Sequence, residues 1–160
     1  MADLISDGKT RVAWASSITN INAPTVAELT AAADYTQRIT PDGLKIDPST
    51  ADVDTSSLAS KFDTKTAGRV GYDTELTFKR GDNPTDDAPY STLKYGVSGF
   101  LVVRRGVDYA TAWAASQKVE VYPVICGEPQ NTSPAANEVM KFVAPIKVTD
   151  PPATAATVAA

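Results

Sequence analysis

The chain has 160 residues, 42% hydrophobic and 21% charged, which are ordinary proportions for a folded domain and argue against wholesale disorder. At this length folding buries about 70% of the unfolded surface, so a core forms without staples, and the lone Cys126 excludes an internal disulfide framework. Histidine is absent, which removes Ser-His-Asp triads, Cys-His dyads and histidine-ligated zinc or haem; a net charge of −4 argues against gripping duplex DNA through a basic patch.

The opening residues, Met1 to Asp7, have neither the basic start nor the apolar stretch of a secretion signal. No uninterrupted apolar run nears the roughly 18 residues of a membrane span. Lys9 to Ala15 is a predicted strand. Thr25-Val26-Ala27-Glu28 has the form of a capping box, in which the threonine oxygen and the glutamate carboxylate each take an orphan amide. A short helix follows, with Val26, Leu29 and Ala33 on one face. Tyr35 to Ile39 is a predicted strand, and Thr40-Pro41-Asp42-Gly43 a turn leading into Leu44-Lys45-Ile46.

Asp47 to Gly68 is rich in Ser, Thr and Asp, with Val53, Leu58 and Phe62 its sizeable apolar residues. It is expected to be a long connection, functional or disordered, whose apolar residues are contact points for another chain. Arg69 to Arg80 alternates cleanly. Val70, Tyr72, Thr74, Leu76 and Phe78 fall on one face and Gly71, Asp73, Glu75, Thr77 and Lys79 on the other, as in a strand with one packed and one wet face.

A short helical turn is predicted between Asp87 and Tyr95, ended by Gly96, with Tyr90, Leu93 and Val97 inward. Phe100 to Arg105 is an apolar strand covered on both faces. Tyr109 and Trp113, four apart, are placed on one helical turn. Lys118 to Cys126 and Glu138 to Val148 are further strands, in which Pro123 and Pro145 signal an edge or a bulge because proline cannot donate to a ladder. The reading is therefore mainly β: a domain over residues 1–150, then an Ala/Pro-rich tail, 151–160, too small in side chain to order itself.

Candidate chemistry is thin. Asp73 and Glu75 lie two apart on a wet face, but nothing apolar beside them raises a carboxylate pKa, so they read as solvated sheet residues paired with a nearby lysine. Asp82, Asp86 and Asp87, and Asp47, Asp52 and Asp54, lack the glycine and distal glutamate of a calcium loop. Cys126 has no base to activate it and reads as buried and structural. Arg104 and Arg105 point to opposite faces, so they cannot clamp one phosphate; each is expected to pair with a carboxylate, one of them across a subunit boundary. With no phosphate loop, nucleophile elbow or paired CxxC, the chain reads as non-catalytic, with no cofactor and no metal.

Thr40-Pro41-Asp42-Gly43-Leu44, Leu76 to Arg80, Gly99 to Gly106, Val119 to Val124 and Cys126-Gly127-Glu128 occur in an order and spacing that resembles the major tail tube proteins of long, non-contractile-tailed phages, particularly those infecting actinobacteria. The resemblance spans roughly residues 8–150. It implies a β-sandwich or half-barrel flanked by one short helix, six copies joined into a ring with their sheets fused into an inner barrel, and rings stacked into a tube, as in contractile tails and type VI secretion. It implies no catalytic residues. It makes the chain a virion component assembled in the host cytoplasm, whose partners are itself and tape-measure, tail-terminator and tail-tip or baseplate proteins, with no membrane. DNA passes through the lumen unbound.

Under that resemblance Asp47, Asp52, Val53, Asp54, Leu58, Phe62 and Lys65 belong to the loop that reaches a neighbouring subunit or ring. Arg104 and Arg105 become candidates for inter-subunit charge pairs, and Asp73 and Glu75 for the lumen wall. A lumen lined with carboxylates would repel DNA phosphates and let the genome slide. Two other readings stand beside this one: a capsid decoration or tail-terminator protein, and a monomeric β-sandwich that binds carbohydrate or a host surface through Trp14 and Trp113. For those two tryptophans core packing is favoured, since large aromatics mainly fill interiors.

Overall fold

Alternation in the sequence becomes one antiparallel sheet. The computed structural model describes residues 2–160, and among them nine strands: β1 Thr10–Ala15, β2 Ala33–Asp34, β3 Ile39–Asp54, β4 Lys65–Lys79, β5 Ser98–Arg105, β6 Lys118–Cys126, β7 Gln130–Asn131, β8 Lys141–Val148 and β9 Ala153–Thr157. Two short helices, α1 Val26–Ala31 and α2 Ala88–Thr92, and a 3-10 turn at Thr36–Arg38 complete the elements. The strand order is β2-β1-β5-β6-β8-β4-β3, with β7 added to β8 and β9 to β6.

That order forces curvature. Laid flat, β2 and β3 would stand about 29 Å apart, at about 4.8 Å per strand. The link from Asp34 to Ile39 spans at most about 18 Å, so the sheet curls until its two ends approach. Tyr35, in that link, packs edge-on against Phe78 of β4 with ring centroids 5.7 Å apart. The result is a mainly β half-barrel, in line with the expected fold class.

The concave face holds the main core: Val12 and Trp14 of β1, Leu101 and Val103 of β5, Tyr122, Val124 and Cys126 of β6, Phe142, Ala144 and Ile146 of β8, and Leu76 and Phe78 of β4. The opposite face of β1, β5 and β6 carries Ala13, Ala15, Val102, Val119 and Val121, which pack with Leu29, Trp113, Ala153, Ala156 and Val158. Both faces of β5 are therefore covered, as its apolar run predicts. Helix α1 begins as the capping box requires: Glu28 N donates to Thr25 Oγ1 at 3.1 Å and Thr25 N to Glu28 Oε1 at 3.0 Å.

Several expectations are corrected. Asp47 to Gly68 is a hairpin rather than a loose connection, with β3 and β4 paired out to Asp54 and Lys65. Thr40 to Gly43 lie inside β3 as a bulge opposite Thr77, between the pairs Ile39–Phe78 and Leu44–Leu76. A Cβ on Gly43 would stand 2.6 Å from the Thr77 carbonyl, so the close approach requires glycine there. Tyr35 to Ile39 is mostly the 3-10 turn, Ala33 lies in β2 beyond the helix, and Tyr109 and Trp113 lie on an irregular loop.

The 151–160 segment is ordered where mobility was expected. Strand β9 pairs with β6, and the amides of Thr157, Val158 and Ala159 donate to Asn22, Gln117 and Pro24 carbonyls. Main-chain bonds hold it, and its alanines permit a close approach to β6; side-chain size alone misjudged it. Pro123 and Pro145 are interior to the sheet, not on edges. Pro123 O accepts from Thr149 N, and Pro145 O from Gly127 N. A strand residue directs its N and O to the same side, so each missing N–H falls where the neighbouring strand changes. At Pro123 this is between β9 and β8; at Pro145 it is between β6 and β7.

Candidate functional site

Beyond the core, β3 and β4 continue as a two-stranded arm. From Asp47 to Asp54 and from Lys65 to Gly71 nearly every residue is exposed, so the arm is held by its own ladder rather than by burial. Lys65 Nζ lies 3.5 Å from Asp52 across it. At the tip, Ser56 N donates to Asp54 Oδ1 at 2.8 Å, which holds the Asp54 carboxyl below its ordinary pKa. Leu58 is wholly exposed and Phe62 80% exposed, with Val53 and Val70 also exposed along the arm. The structure thus places Asp52, Val53, Asp54, Leu58, Phe62 and Lys65 together on one projection, with Asp47 at its base.

The wet face of β3, β4 and β8 carries Asp73 and Glu75. Asp47 stands directly opposite Asp73, and Lys45 opposite Glu75. Lys45 Nζ resolves the like-charge pair, at 2.9 Å from Asp73 and 4.0 Å from Asp47. The hydrogen bond with Asp73, and then its charge, push the Lys45 pKa up; the same contact pulls the Asp73 pKa down. Lys147 adds a weaker pull on Asp73, and Lys79 stands opposite Lys141 further along. This face therefore carries charges of both signs, not a wall of carboxylates.

The two arginines part company. Arg105 is exposed and donates from Nε to Glu120 Oε2 at 2.6 Å, within the chain; Tyr122 Oη donates to the other Glu120 oxygen at 2.6 Å. Burial, followed by that carboxylate, raises the Tyr122 pKa and keeps the phenol protonated. Arg104 has no exposed surface. Its guanidinium donates to the carbonyls of Asp108 at 2.9 Å, Thr111 at 2.8 Å and Ala112 at 3.4 Å, and to Gln117 Oε1 at 3.1 Å. It lies 4.8 Å from the Trp113 ring centroid, as does Arg11. Arg104 is thus corrected from an inter-subunit pair to an internal clamp on the 107–117 loop. Burial lowers its pKa.

Sequence reasoning missed two features. The outer edge of β3 pairs with no strand of the described residues over 16 residues, a row of main-chain donors and acceptors open to another strand. The second is the cluster that holds β7. Arg80 donates to both Asp87 oxygens at 2.8 and 2.9 Å and to Asn131 Oδ1 at 2.6 Å, while Arg80 and Lys94 flank the Tyr90 ring. The acidic loop at 82–87 is therefore structural: the Arg80 guanidinium holds the Asp87 carboxyl below its usual range. Arg80 and Asp87 are seven residues apart with a turn between, a spacing that was readable.

Chemistry elsewhere is sparse. The Cys126 thiol is pushed up to about 11 by burial, and the described residues contain no cluster of metal-ligating side chains. No described helix is long and apolar enough to cross a membrane. Trp14 and Trp113 are only 6% and 8% exposed, which leaves a binding module without its aromatics.

The sequence model of the family described as "Phage tail tube protein" matches residues 1–160. Among solved structures, a chain of "Cryo-EM structure of the anti-feeding prophage (AFP) baseplate, 6-fold symmetrised" is similar at a TM-score of 0.54 and 13% identity. The similarity covers 94% of this chain and 95% of that one. No curated protein matches the chain.

Proposed function

The chain belongs to the phage tail tube protein family, a structural component of the virion tail and not an enzyme, and from that premise we propose that it self-assembles into stacked hexameric rings. The tube would be that of a long, non-contractile tail and would conduct the genome into the host. The carrying observation is the arm: a hydrogen-bonded projection with Leu58 and Phe62 in solvent at its tip. Such exposure costs solubility unless another chain covers it.

The free edge of β3 supports the ring. A strand from a neighbouring copy completes its ladder, and a head-to-tail contact of this kind closes when the rotation allows. Six copies is the number suggested by the baseplate that shares the fold, whose structure is 6-fold symmetrised. The arm, with Asp47, Asp52, Val53, Asp54, Leu58, Phe62 and Lys65, reaches a neighbouring subunit or ring. Arg105 is the arginine still available for a contact between subunits.

The face bearing Asp73 and Glu75 lines the lumen in this reading. Lys45 is held between Asp47 and Asp73 with Glu75 beside it, so that part of the face offers phosphates no uncompensated cation, and in this reading DNA slides past charges of both signs rather than a uniformly acidic wall. Assembly in the host cytoplasm, with tape-measure, tail-terminator and tail-tip or baseplate proteins as partners, completes the proposal. Negative-stain electron microscopy and sedimentation velocity over a concentration series test it. Hollow tubes of uniform width are expected. Closed rings that never stack would favour a terminator-like role, and monomers throughout would overturn self-assembly.

A further inference from the structure

We infer that the tip of the β3–β4 arm seats in a groove at the root of the same arm on a second copy of the chain, with Leu58 and Phe62 entering the groove and Lys61 meeting Asp150. This rests on the self-assembly reading above and adds the receiving site. The groove lies between β4 and the crossing from β8 to β9, lined by Val70, Tyr72, Val148, Pro151 and Pro152, with Asp150 beside them and a volume of about 560 Å3. That volume falls in the range of ligand-binding clefts, and the groove is open to solvent. Two further grooves have mixed linings: one includes Asp7 and Arg105, and the other sets Ile18, Ile21, Phe100, Pro123 and Val124 among Ser, Thr and Asn residues and shares Asp150 with this one.

Three observations point to a second copy as the occupant. The tip cannot reach its own groove: seven residues of β4 separate Tyr72 from Lys65, about 24 Å of strand, and the tip lies beyond. The tip is also preorganised. Thr55 Oγ1 donates to Thr64 Oγ1 at 2.8 Å, Thr64 N to Ser56 Oγ at 3.0 Å, and Ser57 N to Ser60 Oγ at 2.9 Å. Docking then costs little further ordering. Finally, each side carries charge of both signs, Lys61 and Asp63 about Phe62 at the tip and Asp150 and Arg69 beside the groove, and none of these four takes part in an ion pair among the described residues. Where the tip of each copy seats in the root groove of the next, the contact is head-to-tail and repeats in one direction; two arms exchanging tips reciprocally would instead close as a dimer and give no ladder beyond it.

The test is a double variant, Ala59→Cys with Val70→Cys, treated with a short bis-maleimide after assembly. Ala59 is exposed between the anchors, and Val70 is an exposed side chain of the groove wall. The native Cys126 is buried and its thiol raised, so it stays unreactive. A ladder of covalent oligomers is expected from the double variant and from neither single one. In parallel, Lys61→Asp raises the concentration needed for assembly by about fivefold or more, and adding Asp150→Lys restores it. Leu58→Asp with Phe62→Asp stops assembly and leaves the monomer's melting temperature unchanged. Assemblies that form normally but give no ladder and no charge-swap rescue overturn this contact while leaving self-assembly standing. A wild-type chain that stays monomeric at every concentration removes both.

Discussion

Arg104→Ala distinguishes an internal clamp from an inter-subunit charge pair. In the folded chain the guanidinium serves three loop carbonyls and Gln117, and packs by Trp113. Asp108, Thr111 and Ala112 are exposed residues whose carbonyls rehydrate once the loop loosens, so each lost bond falls at the low end of its range, about 1 kcal/mol. The lost stacking on Trp113 adds about 1 kcal/mol. Against this, the variant no longer buries a cation that lacks a carboxylate partner, which returns part of the loss. The net is a destabilisation of about 3 kcal/mol, or about 10 °C in melting temperature for a chain of this size. Urea unfolding of dilute monomer, followed by Trp fluorescence, measures it. Arg105→Ala, which breaks an exposed pair with Glu120, costs at most about 1 kcal/mol in the same assay. A loss below about 1 kcal/mol for Arg104→Ala, combined with failure to assemble, would refute the clamp.

Thr25→Ala removes the α1 cap and costs about 1 kcal/mol in urea unfolding. Gly99→Ala places a Cβ 2.5 Å from the Trp14 ring and costs about 1–3 kcal/mol through overpacking, with Trp14 fluorescence shifted. Asp87 has a folded pKa below its unfolded one, so its contribution is full above the unfolded carboxylate pKa and is lost as pH falls through the folded value. The difference in melting temperature between wild type and Asp87→Asn should therefore shrink as pH drops from 5 toward 2. The amides of Thr157, Val158 and Ala159 should exchange slowly, at rates near those of β6.

Strands β4 and β6 were legible because one or both of their faces bury apolar residues in alternation. The outer part of the arm was not, because alternation reports burial and both of its faces are wet; Asp47 to Gly68 carries strand geometry without strand chemistry. Arg104 was not legible: it shares a side with Val102 and Arg105 with Val103, so coverage of both faces does not distinguish the buried arginine from the exposed one. The β9 strand left little side-chain signal, since much of its hold on β6 and on residues 22–24 is main chain to main chain and the side chains it buries, Ala153 and Ala156, are small. Of the candidate site, the apolar tip and the Asp73–Glu75 face were visible in the sequence. The free edge of β3 and the root groove arise only when distant segments are brought together.

The two prolines at the strand changeovers also bear on folding errors. A β ladder that slips by two residues keeps every side chain on its correct face, so hydrophobic burial cannot distinguish the slipped state from the native one. Here such a slip would carry the missing N–H of Pro123 or Pro145 out of its gap and set it against a carbonyl that needs a donor. Each misplacement would forfeit a ladder bond and strand a buried acceptor. Pro123 and Pro145 thus make the correct alignment of β6 and β8 the one in which no acceptor goes unserved, a check on register that acts before any second copy of the chain arrives.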